Sequence, residues 1–174
     1  MKYIRNIAIL LLLFWSATTT AQIRIPETNV SFSFPHNGWK YLQTNKVNEN
    51  TTVYLYSYSK DYVIDGQGDT VIPFMRIYVR KNYNGTVYDM AYNRYMNQPF
   101  QSLDEHIHDN GSLEYLGAYA NEEEKKDCEF RMLYLKDKSN LLEIRLETVI
   151  DRFDDFDEEF KTILKSIKTT NSSR

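Results

Sequence analysis

Residues 141–168 read LLEIRLETVIDRFDDFDEEFKTILKSIK and hold the two clearest elements of the chain. In residues 141–150, apolar and charged residues alternate with the two-residue period of a strand that buries one face. The charged positions of this strand, which we expect in solvent, are Glu143, Arg145 and Glu147. After it, apolar residues recur every three or four positions, as on the buried side of an amphipathic helix. The helix positions are Phe153, Phe156, Phe160, Ile163, Leu164 and Ile167. This stretch therefore predicts a domain that contains both a strand and a long helix.

Acidic residues crowd the first turns of this helix, and lysines follow in its last turns. Because the start of a helix carries a partial positive charge and its end a partial negative charge, both groups stabilise the helix. We favour this structural explanation of the acidic run over a metal site.

Two further strands come directly before this pair, and a helix comes before them. Residues 112–120, 127–136 and 141–150 are strand-like and are joined by short polar segments, which predicts an antiparallel meander. Before them, apolar residues spaced three and four apart predict a helix that begins after Thr86 and ends at Pro99. Thr86 with Asp89 three positions later is typical of a helix N-terminus.

The first half of the chain carries a long hairpin. Residues 51–62 and 70–81 predict its strands, and the glycines and aspartates of residues 65–69 predict its tip. Residues 29–34 alternate as one further strand.

An aromatic and basic surface on this hairpin is the candidate binding site. Alternation places tyrosines on one side of the first strand, and aromatic residues with arginines on one side of the second. These residues are Tyr54, Tyr56, Tyr58, Phe74, Arg76, Tyr78 and Arg80. If pairing brings the two sides together, the hairpin presents tyrosine rings and guanidinium groups, which are enriched at binding hot spots. The alternative is that a helix or loop covers this face.

The N-terminus has the parts of a secretory signal. Lys2 and Arg5 precede an apolar run, and a small, polar segment ends at Ala21, so we expect cleavage before Gln22. The apolar run is about half as long as a membrane-spanning helix requires. We therefore expect a signal peptide over residues 1–21, one domain over 22–168 and a flexible polar tail over 169–174, in a periplasmic or secreted protein without a stable membrane anchor.

Composition and charge exclude a disordered chain and a nucleic-acid-binding protein. Hydrophobic residues make up 42% of the 174 residues and charged residues 26%, which is ordinary for a globular domain. Loss of residues 1–21 removes two positive charges and no negative charge, so the formal net charge falls from −3 to −5. We expect no nucleic-acid partner, because basic residues are scattered among acidic ones.

Two short patterns resemble the PsbP-like family, which is named after a photosystem II accessory protein. The first is FSFPHNGW at residues 32–39, similar to the opening strand, proline and tryptophan of that family. The second is FKTILKSI at residues 160–167, similar to its closing helix. The resemblance spans roughly residues 28–168. It implies an α/β/α sandwich around a central antiparallel sheet, and an accessory or binding role without catalysis.

Other chemistry has weaker support. His106 and His108 would share one face of a strand and could bind zinc, but their polar surroundings favour an exposed loop. Asp61, Asp65 and Asp69 lie around two glycines, and calcium loops combine oxygen ligands with a glycine at the sharp turn, yet a hairpin tip explains these residues better. We predict that Cys128 is a small buried side chain. No nucleophile motif or phosphate loop is present in the sequence, so we expect no catalytic residue, no cofactor and no metal.

The sequence therefore predicts an exported, non-enzymatic accessory or binding domain that engages a protein partner. The alternative is a protein that binds a small ligand between its sheet and a helix, in a cavity of about 300 Å³ or more.

Overall fold

The computed structural model describes residues 21–60, 63–97, 100–122 and 125–170. The predicted signal peptide lies outside the described residues except for Ala21. The strands are β1 (Ile23–Arg24), β2 (Val30–Phe32), β3 (Trp39–Asn48), β4 (Thr51–Tyr58), β5 (Val63–Ile64), β6 (Thr70–Val71), β7 (Phe74–Arg80), β8 (Gln101–Ile107), β9 (Leu113–Asn121), β10 (Lys126–Asp137), β11 (Asn140–Val149) and β12 (Lys168–Thr169). The helices are α1 (Val87–Asn97) and α2 (Ile150–Lys165).

Seven strands form one antiparallel sheet in the order β3-β4-β7-β11-β10-β9-β8. The meander predicted from residues 112–150 is confirmed as β9, β10 and β11. It lies beside the hairpin of β4 and β7, because β11 pairs with β7. The described part of the chain is thus mostly antiparallel sheet with two helices, as expected for an α+β fold.

The two helices pack on opposite faces of this sheet. On β10, Leu133 and Leu135 point into a core that includes Phe153 and Phe160 of α2. Met132 and Tyr134 point the other way, into a smaller core with Val87, Met90 and Ala91 of α1. Because neighbouring residues of a strand point to opposite faces, one strand carries both cores. We call these two sides the α2 face and the α1 face.

A small second sheet joins the two ends of the domain. β2 pairs with β1 on one side and with β12 on the other. The Thr170 amide also donates to the carbonyl of Asn29 at 2.9 Å. The prediction of a flexible tail from residue 169 is therefore wrong at its first two residues, since backbone pairing with β2 orders them.

Two further predictions needed correction. The exposed loop expected around His106 and His108 is exposed at His106 but is not a loop there, because His106 belongs to the edge strand β8, whose residues are all exposed, and His108 follows its end. Such a strand lacks the apolar alternation that reveals a half-buried one. The charged side of β11 is not in solvent either: Glu143, Arg145 and Glu147 are exposed by only 0%, 4% and 3%.

Candidate functional site

The two halves of the predicted hairpin surface lie on opposite faces of the sheet. Tyr54 is paired with Ile77 and Tyr56 with Met75, so these tyrosines share the α2 face. Both are buried in the core that α2 covers. The expectation that Tyr54, Tyr56 and Tyr58 could coincide with Phe74, Arg76, Tyr78 and Arg80 is wrong, because it requires a register shifted by one residue.

The second half of that surface lies on the α1 face and is half-buried. Its side chains are Phe74, Arg76, Tyr78 and Arg80. Their partners across β11 are Glu147, Arg145, Glu143 and Leu141 respectively. The predicted arginines therefore border the charged residues that the sequence had placed in solvent.

These charged residues form a buried ionic cluster. Glu147 accepts from the Arg76 guanidinium, and the Tyr119 hydroxyl donates to Glu147 Oε2 at 3.1 Å. Arg145 Nη2 lies 2.5 Å from the same Oε2 atom. The Arg145 guanidinium also lies over the rings of Tyr119 and Phe130, at 4.6 and 4.9 Å from their centroids. The buried Arg145 cation is thus stabilised both by Glu147 and by the faces of two aromatic rings.

Glu143 is the second acid of the cluster. Arg94 of α1 approaches it, with 3.6 Å between Arg94 Nε and Glu143 Oε1. Among the described residues, neither carboxylate oxygen of Glu143 has a hydrogen-bond partner. The hydroxyl group of Tyr134 also lacks one. Buried polar groups without partners are uncommon and often mark functional sites.

Burial sets the proton affinities in this cluster. It lowers the pKa of Arg145, and the positive charges of Arg94 and Arg76 act in the same direction. Burial also raises the pKa of Tyr134, which stays protonated at neutral pH. Burial likewise raises the pKa of Tyr119.

Two clefts open beside the cluster. One has a volume of about 520 Å³ and is lined by Arg76, Tyr119, Glu147 and the predicted buried thiol Cys128. The other has a volume of about 730 Å³ and lies between α1 and the end of β7, with Arg80 and Arg94 in its wall. Both volumes are in the range of small-ligand sites, about 300–1,000 Å³.

The outer side of α1 carries a stripe of exposed apolar side chains. Its members, which we call the α1 stripe, are Tyr88, Tyr92, Tyr95 and Met96. At 100° per residue they occupy one arc of the helix, and the residues that pack on the sheet occupy the next one. The three- and four-residue spacing thus identified the helix correctly, but it marked mainly the side that faces solvent.

The weaker candidates have structural explanations. Lys126 binds both Asp65 and Asp69, the latter at 2.9 Å, so a lysine stands where a calcium ion would be held. His108 Nε2 lies 3.0 Å from Glu114 Oε2. In the described ranges, no three histidine, cysteine or acidic side chains are grouped to hold a metal ion. Asp61 lies outside the described residues.

Comparisons with known proteins show the fold. No family model matches the chain, and no curated protein matches it in sequence. The solution structure of cyanobacterial PsbP (CyanoP) from Synechocystis is similar with a TM-score of 0.54 and 13% identity, over 89% of this chain and 95% of that one. LpqN of Mycobacterium tuberculosis, described as involved in cell envelope biogenesis, is similar with a TM-score of 0.51 and 9% identity, over 86% and 90%. The chain therefore has a PsbP-like fold. None of its described helices is long and apolar enough to cross a membrane.

Proposed function

We propose that the protein is an exported, non-enzymatic accessory domain that binds a protein partner through the α1 face of a PsbP-like α/β/α sandwich. The observation that carries this proposal is the α1 stripe, in which Tyr92 and Met96 are 64% and 60% exposed. Tyrosine and methionine are enriched at protein interfaces, and clustered apolar side chains on a surface mark interaction sites.

Neighbouring residues extend this surface. Ile107 of β8 is exposed and pairs with Leu113, which packs in the core beneath α1. Tyr95 packs edge-on against Phe100 at 5.6 Å, so its ring is held in one orientation. Rigid aromatic side chains lose little entropy on binding, which favours them as anchors.

Export and the absence of catalysis are further parts of the proposal. The secretory pattern of residues 1–21 supports export. The likeness to PsbP and to LpqN, together with the PsbP-like motifs, supports an accessory role. The predicted residues Phe74, Arg76 and Tyr78 enter the proposal as a second part of the interface, because they too lie on the α1 face, whereas Arg80 beside them lines the cleft considered next.

Affinity capture after chemical crosslinking in the host tests this proposal. Tyr92→Ala and Met96→Ala introduce alanine, which favours a helix, and remove only exposed side-chain atoms. Folding is therefore preserved. We expect them to reduce recovery of one specific crosslinked partner about tenfold or more, the loss typical of a hot spot. Asp154→Ala, at an exposed position of α2, is the matched control and leaves recovery unchanged. Equal recovery with all three variants would refute the proposal.

Small-ligand binding is the second candidate function, and the cleft of about 730 Å³ favours it. Its walls contain arginines whose charges the neighbouring carboxylates do not fully compensate. This cleft is on a different flank of α1 from the stripe, so the two functions can coexist.

A further inference from the structure

The cleft beside Arg80 and Arg94 is built from three separate parts of the chain. One wall is the turn between β3 and β4, the floor is the end of β7 with the segment that follows it, and the other wall is α1. The Lys81 amide donates to the carbonyl of Asn50 at 2.8 Å, and the Tyr83 amide to that of Ser139 at 2.8 Å. The floor is thus fixed to both neighbouring turns, and the cleft is formed before any ligand arrives.

Two arginines of this cleft place their guanidinium groups over the same aromatic ring. Arg80 and Arg94 lie 5.8 and 5.7 Å from the ring centroid of Tyr78. Arg94 has a partial counter-charge in Glu143, but within the described ranges no carboxylate oxygen lies within 4.0 Å of Arg80. The Nε atom of Arg80 is buried and makes no hydrogen bond.

A buried donor without an acceptor destabilises the fold, because it has lost its hydrogen bonds to water without replacement. In the ionic cluster and the lining of this cleft together, four arginines and Lys81 stand against the buried Glu143 and Glu147 and the exposed Glu49, so positive charge is in excess. An anionic group at Arg80 would supply both the missing acceptor and the missing charge, and guanidinium groups bind carboxylates with paired hydrogen bonds.

The rest of the lining is unusually rich in carboxamides. Six of the chain's 14 asparagines line this one cleft: Asn48, Asn50, Asn82, Asn84, Asn93 and Asn97. A carboxamide both donates and accepts hydrogen bonds, as does the hydroxyl group of a sugar. Asn97 Nδ2 already donates to the Asn93 carbonyl at 2.7 Å, which orients that side chain.

We propose that this cleft binds an acidic saccharide, with its carboxylate on Arg80 and Arg94 and its hydroxyl groups on the asparagines. The inference rests on the small-ligand candidate and is independent of partner binding by the α1 stripe. A peptide carboxylate would also use the arginines, and its backbone amides could pair with the carboxamides, so a peptide is the alternative that the test below distinguishes.

Binding of the mature protein to an immobilised glycan array tests the proposal. The array carries glycans ending in uronic or sialic acid, their neutral counterparts, and a tripeptide with a free carboxylate. We expect binding to acidic glycans, with weaker binding to the neutral glycans and to the peptide. A preference for the peptide, or equal binding of acidic and neutral glycans, would overturn the proposal, and so would no binding at all.

Two variants and a control assign the binding to this cleft. Arg80→Gln should lower affinity for the acidic glycans about tenfold or more, because it removes the cation. Asn93→Ala, at an exposed helix position where alanine is favourable, should lower it about fivefold through one lost hydrogen bond. Lys40→Gln, on the exposed edge strand β3, should leave affinity unchanged. Wild-type affinity in both cleft variants would overturn the assignment of glycan binding to this cleft. That result would leave the proposal of partner binding through the α1 stripe unchanged.

Discussion

The Arg145 guanidinium lies 4.6 Å from the centroid of the Tyr119 ring, and the Tyr119 hydroxyl donates to Glu147, the carboxylate that Arg145 also contacts. One tyrosine thus stabilises the cation with its ring and the anion with its hydroxyl. This arrangement allows a row of charged residues to lie buried on a sheet face where a strand normally carries apolar side chains.

Neutralising Glu147 should destabilise the fold. Glu147→Gln leaves the buried Arg145 and the half-buried Arg76 without this counter-charge, and loss of one member of a buried ion pair costs about 3–5 kcal/mol. Urea denaturation measures this loss. Glu158→Gln, at a side chain that is 83% exposed, is the matched control and should change the free energy of unfolding by less than about 0.5 kcal/mol. Equal stabilities of the two variants would contradict the buried ionic cluster.

The contact of Asp65 with Lys126 should make stability depend on pH. The hydrogen bond from Lys126 holds the pKa of Asp65 below its ordinary value of 3.8, with further hydrogen bonds from the Asp69 and Gln67 amides. A carboxylate with a lowered pKa stabilises the fold above its unfolded pKa, and that contribution is lost as the pH falls through the folded pKa.

Thermal denaturation of Asp65→Asn checks this dependence. Asparagine keeps an oxygen for the two turn amides but removes the charge that faces Lys126. We expect wild type to be more stable than the variant at pH 7 and the difference to shrink as the pH falls below about 3.8. A difference that stays constant over this range would show that the charge of Asp65 contributes nothing.

Trp39 connects the first segment of the domain to α2. Its ring stacks on Phe34 at 5.4 Å, and its Nε1 donates to Glu159 Oε1 at 2.6 Å. Trp39→Phe keeps an aromatic ring but loses the donor, and a hydrogen bond to a charged group contributes about 1.5–3 kcal/mol. We expect a loss of this size in the free energy of unfolding, measured in urea. In a Glu159→Ala background the same substitution should cost less; an identical cost in both backgrounds would exclude the hydrogen bond as the cause.

The start of α1 depends on Thr86. The Thr86 amide donates to Asp89 Oδ2 at 2.7 Å, and the Asp89 amide donates to Thr86 Oγ1 at 3.1 Å. Thr86→Ala should cost about 1 kcal/mol and accelerate amide exchange in the first turn of α1. Thr86→Ser keeps the hydroxyl and should behave as wild type. Unchanged exchange in Thr86→Ala would show that the cap does not limit opening of this turn.

The sequence predicted those elements whose periodicity follows from burial. The alternation of residues 127–136 and 141–150 identified β10 and β11, and the pair Thr86 and Asp89 located the start of α1. The exposed strand β8 could not be found this way, because a strand without a buried face has no alternation to show.

The candidate site depended on pairing that the sequence does not encode locally. The alternation of β7 showed that Arg76 and Tyr78 share one side of that strand. Only the register with β4 shows that Tyr56 lies on the other face of the sheet. The burial of Glu143 and Arg145 was missed because charged residues are normally exposed. One feature of the sequence indicates this burial: the arginines of β7 recur on one side of their strand, as the charged residues of β11 do on theirs. Pairing of the two strands then places these two sides next to each other.

Site-specific photo-crosslinking from the α1 stripe tests the central claim most directly. In one variant of the full chain, expressed in its own host, a photoreactive amino acid replaces Tyr92. In a second variant of the same chain, it replaces Glu158 on the opposite side of the sheet. We predict one discrete heavier species from position 92 after irradiation and none from position 158. Equal crosslinking from both positions, or none from position 92, would contradict binding of a protein partner through the α1 face.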